Sequence, residues 1–226
     1  MPSRSPLRIA CWSLLGLALA GPASALGLVP ETEGEVDTGL GAPLGGGAFV
    51  ALPFSVTSLT DSGTGLKSYL FVDKAGTANT YGPVSFRSVD GGTSDPTGDY
   101  WFRPSVVRTP ELEDGQLEAG TFLLTFDALL PGLLLRLFDT EHAGTSYAVN
   151  GGATVAVPAG ANGNIHEVTL FDVSTLTLDL GERHGTTGDG VNFQLVPGFP
   201  PVPEPGLEWL GLAALLALAA GRRRGA

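Results

Sequence analysis

Short β-prone runs separated by turn residues are the feature that most constrains the fold of this 226-residue chain. From residue 48 to residue 198, runs of Val, Phe, Tyr, Leu and Thr alternate with Gly, Asp, Asn and Pro about every eight to twelve residues, which is typical of β-sandwiches and barrels. In TLTLDLG (175–181), every second residue is leucine, as expected for a strand with one buried face. The sequence therefore predicts an all-β fold, with a single antiparallel β-sandwich domain of jelly-roll-like type over 48–198.

The most apolar segment of this domain is FLLTFDALLPGLLLRLF (122–138). Its hydrophobicity alone would also fit a pair of buried helices. Pro131 and Gly132 divide the segment into two arms, and proline removes a backbone donor that a helix would need. We therefore predict a β-hairpin whose turn lies at this dipeptide.

The first 47 residues predict two segments that precede the domain. A positively charged start, an apolar run over 9–20 and the small residues Ala23 and Ala25 follow the order of a signal peptide. We therefore predict that signal peptidase removes residues 1–25 during export. Residues 26–47 are rich in Gly, Pro and acidic residues and have no apolar periodicity, which predicts a flexible linker.

The chain is strongly acidic, with 23 Asp and Glu against 12 Lys and Arg and a formal net charge of −11. Because such a surface repels the phosphate backbone, we predict no nucleic-acid partner. The charge suits a protein exposed to the outside medium, and carboxylate oxygens also suit divalent cations.

The chain contains no G-x-S-x-G, H-E-x-x-H, P-loop or EF-hand pattern. Its three histidines, His142, His166 and His184, each lie close to a carboxylate in the sequence, and a zinc site built from them is conceivable. Histidines at strand ends are more often exposed loop residues. Paired carboxylates could serve a glycosidase, but the many acidic residues in turns single out no pair. We therefore predict a protein that is not an enzyme and has no catalytic residues.

Two loops rich in acid and glycine are the candidate calcium sites, because calcium prefers several carboxylate and carbonyl oxygens. Their acidic residues are Asp90, Asp95 and Asp99 in DGGTSDPTGD, and Asp179, Glu182 and Asp189 in DLGERHGTTGDG. Asp and Gly in loops usually only form turns. We therefore predict no cofactor and leave calcium open as the alternative.

Three aromatic residues, Tyr100, Trp101 and Phe102, directly follow the first of these loops. Aromatic rings stack on sugar faces, so the triplet could form a carbohydrate-binding surface. In a strand, however, Tyr100 and Phe102 share one face and Trp101 lies on the other. At least one of the two faces is therefore expected to belong to the core.

The chain ends in VPEPGLEWLGLAALLALAAGRRRGA (202–226), where a P-E-P tripeptide precedes a short apolar run and a cluster of arginines. At ~1.5 Å per residue the apolar run spans roughly 21 Å, less than the ~30 Å hydrocarbon core of a bilayer, so it would hold the chain in a membrane only weakly. The positive-inside preference would keep the arginines in the cytoplasm and the acidic domain outside.

This ending resembles the PEP-CTERM sorting signal of Gram-negative bacteria, which would occupy residues 199–226. The matching positions are Pro203, Glu204 and Pro205, then the apolar helix Leu207 to Ala220, then Arg222, Arg223 and Arg224. The resemblance implies recognition by an exosortase, a membrane-embedded transpeptidase that would cut near the P-E-P motif and release the domain.

The resemblance also implies a place and a role. After transient anchoring in the membrane through its C-terminal helix, the protein would reach the cell surface or the extracellular matrix. We expect a structural or adhesive component of the exopolysaccharide matrix of a biofilm or floc, with exosortase, signal peptidase and exopolysaccharide as partners. The alternative is a secreted carbohydrate-binding or carbohydrate-hydrolysing β-sandwich protein, for which calcium dependence stays open.

Overall fold

The computed structural model describes residues 28–63, 65–86, 99–106, 119–181 and 191–198, together with the backbone of 183–184 and 187–188. All the regular elements of these residues are β-strands, and every strand pairing among them is antiparallel. The prediction of an all-β, antiparallel fold is therefore confirmed. The predicted signal peptide and sorting segment lie outside the described residues.

The strands are numbered in chain order. They are β1 (Gly34–Val36), β2 (Phe54–Leu59), β3 (Ser68–Lys74), β4 (Asn79–Tyr81), β5 (Val84–Phe86), β6 (Tyr100–Val106) and β7 (Gly120–Phe138). The remaining strands are β8 (Ser146–Val149), β9 (Val155–Ala156), β10 (Ile165–Leu180), β11 (Arg183–His184), β12 (Thr187–Gly188) and β13 (Asn192–Pro197).

Two long strands, β7 with 19 residues and β10 with 16, form the ribbon around which the main sheet is built. The second half of β7 pairs with β13, which continues through β6 and β3 to β1. The first half of β7 pairs with β2, and the second half of β10 pairs with β8, which continues to β9. We call the β13 side the first wing and the β2 side the second wing.

The two wings pack against each other around one hydrophobic core. Phe102 of β6 in the first wing stacks on Phe193 of β13, with ring centroids 4.9 Å apart, and meets the edge of Phe54 of β2 in the second wing at 6.1 Å. Phe102 and Phe193 are fully buried and Phe54 is almost so. This arrangement is consistent with a β-sandwich.

The predicted hairpin turn at Pro131 and Gly132 is wrong, because β7 runs through this dipeptide as one strand. Gly132 still pairs with Phe171 of β10, and Leu130 with Val173. The proline is tolerated because the ladder is irregular next to it, where Asp172 has a positive φ of 51° and a bulge follows Val173.

The linker prediction for residues 26–47 is wrong for the stretch that contains β1. This strand pairs with β3, and its residues Glu35 and Val36 are buried, as is Thr38 just beyond it. Burial raises the pKa of Glu35, although the carboxylate accepts a hydrogen bond of 2.6 Å from the backbone N–H of Leu44. A three-residue strand is too short to show an apolar period, so the sequence pattern could not reveal it.

A smaller apolar cluster lies on the other face of the first wing, where the β4–β5 hairpin covers β3. It contains Phe71, Val84 and Phe86, with Tyr81 stacked on Phe71 at 5.0 Å between centroids. Burial and the nearby carboxylates raise the pKa of Tyr81 to about 12. This hairpin therefore closes a second layer over the polar side chains of β3 and β6.

Candidate functional site

A cleft of about 490 Å³ lies at the end of the first wing where β6 begins. The backbone N–H of Leu28 donates to the carbonyl oxygen of Leu195 over 2.9 Å and so holds the segment before β1 beside β13. The cleft is lined by Val29, Glu31, Lys74, Asp99, Tyr100, Arg136, Gln194, Leu195 and Val196. Five separate stretches of the chain thus contribute to one concave, mostly polar surface.

Arg136 of β7 is the most firmly positioned cation of the cleft. Its Nε lies 2.9 Å from the Glu167 carboxylate, and its Nη1 donates to the side-chain oxygen of Gln194 over 2.8 Å. The guanidinium also lies 5.6 Å above the ring of Trp101. Gln194 in turn donates to the backbone oxygen of Tyr100 over 2.8 Å. These contacts hold donors and acceptors in place before any ligand arrives.

Tyr100 is the aromatic group of the cleft, and it is half-buried. The ammonium group of Lys74 lies 5.4 Å from the centre of its ring. Glu31 and Asp99 are exposed, so the cleft presents two cations, two carboxylates, an amide and one aromatic ring. A few polar groups around an aromatic face suit a polar, uncharged or zwitterionic ligand such as a sugar.

The aromatic triplet has divided roles. Trp101 and Phe102 are fully buried, so the prediction that either could stack on a sugar is wrong, and the prediction that the triplet contributes to the core is confirmed. Tyr100 alone faces the cleft. Arg136 was not predicted from the sequence, although a lone charge inside the apolar run LLLRLF was a signal that a polar surface faces that strand.

Only two of the six calcium candidates, one from each loop, lie among the described residues. Asp99 lies in the cleft of the first wing, and Asp179 lies on β10 in the second wing. Asp90, Asp95, Glu182 and Asp189 lie outside the described residues, so calcium binding at these two loops stays a prediction. In the described part of the chain, no group of three or more His, Cys, Asp or Glu side chains could hold a metal ion.

Asp179 belongs to a pair of carboxyl groups whose second member is Asp61. The hydroxyl of Thr121 lies 3.0 Å from Asp179 and 3.3 Å from Asp61, which is buried. Burial raises the pKa of Asp179, and the neighbouring Asp61 raises it further, against the opposite effect of the Thr121 hydroxyl. A raised pKa favours the neutral acid, and a neutral Asp179 can share a hydrogen bond with the neighbouring Asp61 carboxyl group.

The structure describes the side chains of two of the three histidines. His142 is exposed in the loop after β7, and His166 is half-buried on β10. The side chain of His184 lies outside the described residues. A zinc site built from all three therefore stays an untested alternative.

The residues of the two predicted sorting signals also lie outside the described part. These are Ala23 and Ala25 at the signal-peptidase site, the P-E-P motif at 203–205 and the arginines at 222–224. Among the residues that are described, no helix has the length and apolar character that a membrane crossing requires.

No family model matches this chain, and no curated protein or solved structure matches it either. The resemblance of the last residues to the PEP-CTERM signal therefore stays an interpretation of the sequence.

Proposed function

We propose that this protein is exported, cut by an exosortase near its P-E-P motif, and retained at the cell surface or in the extracellular matrix. There its domain, a jelly-roll-like β-sandwich in this proposal, serves as a structural or adhesive component of the exopolysaccharide matrix. The observation that carries the proposal is the ordered sequence of P-E-P, short apolar run and arginine cluster behind an exportable, acidic, all-β domain.

Elementary physical chemistry supports each part of this sorting signal. Prolines at 203 and 205 restrict their neighbours to extended backbone, which would present Glu204 to a protease active site just outside the membrane. The apolar run is too short for stable anchoring, and the arginines would stop translocation. Such a tail suits a substrate that is held briefly and then released.

The sorting proposal predicts that Glu204→Ala, or deletion of residues 203–205, leaves the full-length protein in the inner membrane. The wild-type protein is expected at the surface or in the medium as a shorter form that has lost its C-terminal residues. Cell fractionation and intact-mass measurement distinguish the two forms. Glu141→Ala, the same chemical change on the β domain, is the matched control and should be processed normally. Normal processing of both P-E-P variants would show that the sorting proposal is wrong.

A specific observation favours carbohydrate contact as the way in which the domain serves the matrix. The half-buried Tyr100 ring lies in a cleft that also holds the positioned donors and acceptors of Arg136 and Gln194. This combination of one aromatic face and several fixed polar groups suits a sugar unit of a polymer. Calcium is not needed for this mode of contact.

We expect Tyr100→Leu to weaken binding of the producing organism's exopolysaccharide roughly fivefold, because it removes about 1 kcal/mol of aromatic contact while keeping apolar volume. Titration calorimetry with the purified protein measures this change. Tyr147→Leu, at another half-buried tyrosine on β8, is the matched control. An equal loss in both variants, or no binding by the wild type, would contradict the carbohydrate role. Release of reducing ends would instead indicate the hydrolase alternative.

A further inference from the structure

Residues 165–171 of β10 form the edge of the first wing. On one side they pair with residues 132–138 of β7. On the other side, no strand of the described chain pairs with them, because β8 pairs only with residues 176–179 of β10. A seven-residue stretch of one edge is therefore left without a neighbouring strand in the described part of the fold.

Two other edges of the main sheet are covered by backbone of the same chain. At β1, the N–H of Val50 donates to the carbonyl oxygen of Glu35 over 2.8 Å. At β2, the N–H of Ser58 donates to the carbonyl oxygen of Thr38 over 3.0 Å. Within the described residues, no comparable backbone bond covers residues 165–171. The only other terminal strand of the main sheet left uncovered among the described residues is β9, which has just two residues and offers far less edge for a further strand.

The sequence of this edge, IHEVTLF, lacks the devices that usually prevent edge-to-edge pairing. It contains no lysine, proline or glycine, and Ile, Val, Thr and Phe all favour β-structure. Its one carboxylate, Glu167, is engaged by the Nε of Arg136 at 2.9 Å. The strand is therefore long and β-prone, and its one carboxylate is already paired with an arginine of the neighbouring strand.

Every second side chain of this edge is exposed, and these exposed side chains share one face of the sheet. Ile165 and Phe171 lie at its two ends and are 39% and 68% exposed, among the large apolar side chains that the fold leaves most accessible. Glu167 and Thr169 lie between them on the same face and are also exposed. Both ends of the strand thus present apolar surface, and the middle is polar.

We propose that two copies of this protein associate edge to edge, with residues 165–171 of each pairing antiparallel across a twofold axis. Residues that face each other in an antiparallel pair must have their side chains on the same side of the sheet. In a twofold pair one residue therefore lies opposite its own copy, and moving to the next register changes every partner by two positions. With Val168 opposite its own copy, Ile165 of each chain lies opposite Phe171 of the other.

The two neighbouring registers are less favourable. Centring the pair on Glu167 would place two glutamates opposite each other, and like charges at such positions are destabilising. Centring it on Thr169 would place Glu167 opposite Phe171. The register centred on Val168 instead joins Ile165 to Phe171 at both ends and Glu167 to Thr169 in the middle. The sequence of the edge is therefore complementary to itself in one register.

Such a pair is closed, because the twofold axis uses the same edge of both copies and leaves none of that edge for a third. The first wings of the two copies become one continuous sheet. The association buries the exposed faces of Ile165 and Phe171 and satisfies the backbone groups of both edges. The inference does not depend on the sorting or carbohydrate proposals.

The test is the mass of the full-length chain in solution, measured by analytical ultracentrifugation in a mild detergent at micromolar concentrations. The wild type is expected to be a dimer. Ile165→Lys and Phe171→Glu, each alone, should raise the dissociation constant at least roughly tenfold, because twofold symmetry counts each change twice. The double variant should recover the dimer, since the introduced lysine of one copy faces the introduced glutamate of the other.

Val155→Lys, at an exposed apolar residue of β9, is the matched control and should stay dimeric. All four variants (the two single changes, the double variant and this control) keep the apolar C-terminal run. If the chains associated through that run, all four would have the same mass in solution, and the proposal would be overturned. A monomeric wild type at tens of micromolar, or failure of the double variant to recover, would overturn it as well. Unchanged melting temperatures show that each variant is folded.

Discussion

Replacing Arg103 with methionine is expected to lower the free energy of unfolding by about 3–5 kcal/mol, because it removes the cation that faces a buried carboxylate. Arg103 Nη1 lies 2.6 Å from the Asp73 carboxylate, and the two side chains are only 5% and 1% exposed. The guanidinium also lies 5.2 Å from the ring centre of Phe86, at the base of the β4–β5 hairpin. The substitution should therefore loosen both the ion pair and the hairpin that covers it.

Urea-induced unfolding, followed by the fluorescence of the buried Trp101, measures this loss. Arg136→Met removes an arginine from a more exposed ion pair with Glu167 and is expected to cost about 1 kcal/mol or less. Adding Asp73→Leu to Arg103→Met should recover most of the stability, since apolar residues can replace both partners of a buried pair. If Arg103→Met lowers the free energy of unfolding no more than Arg136→Met does, the buried pair of Arg103 and Asp73 does not contribute more to stability than the exposed one, and the prediction is wrong.

Phe102→Ala is expected to destabilise the fold by about 3–5 kcal/mol, because it leaves a cavity where the two wings meet. The Phe102 ring is fully buried, stacks on Phe193 in its own wing and contacts Phe54 in the other. The surrounding strands are tied into one sheet and can close over the missing ring only in part. The loss should therefore include both the transfer of the ring from water and the cavity.

Thermal and urea unfolding of Phe102→Ala against the wild type test this prediction. Leu129→Ala is the matched control, because Leu129 is 60% exposed on β7 and its truncation should change stability by about 0.5 kcal/mol or less. Similar losses in the two variants would contradict the placement of Phe102 at the contact between the wings. A large loss in Phe102→Ala alone would support the face-to-face packing of the wings.

Strand positions followed from the sequence where a strand is long enough to show the alternation of one buried face. Leu176, Leu178 and Leu180 were predicted to share a face, and all three are fully buried on β10. The reason is that successive side chains of a strand point to opposite faces, so a buried face appears in the sequence as an apolar residue at every second position. Turn positions were less reliable, because Pro131 and Gly132 are tolerated inside a strand where the ladder is already irregular.

The candidate site was predicted only in part, since it depends on contacts between distant segments. Tyr100 and Asp99 were singled out from their own local sequence, and both line the cleft. Arg136 and Gln194 lie on β7 and β13, far apart in the chain. Only the pairing of those strands brings the Nη1 of Arg136 within 2.8 Å of the Oε1 of Gln194. No local pattern carries information about such a pairing.

The sequence by itself determined the all-β class, the acidic character and the alternating faces of the strands, because these depend on residue type and on the pleat alone. The sorting proposal rests on two terminal residue patterns that are read from the sequence alone. Only the tertiary structure decided that β7 is one strand, that Arg103 faces Asp73 and that residues 165–171 are left as an edge. Each of these features depends on which distant strand lies alongside. The residues of a strand specify which of its faces is buried far more strongly than they specify which strand pairs with it.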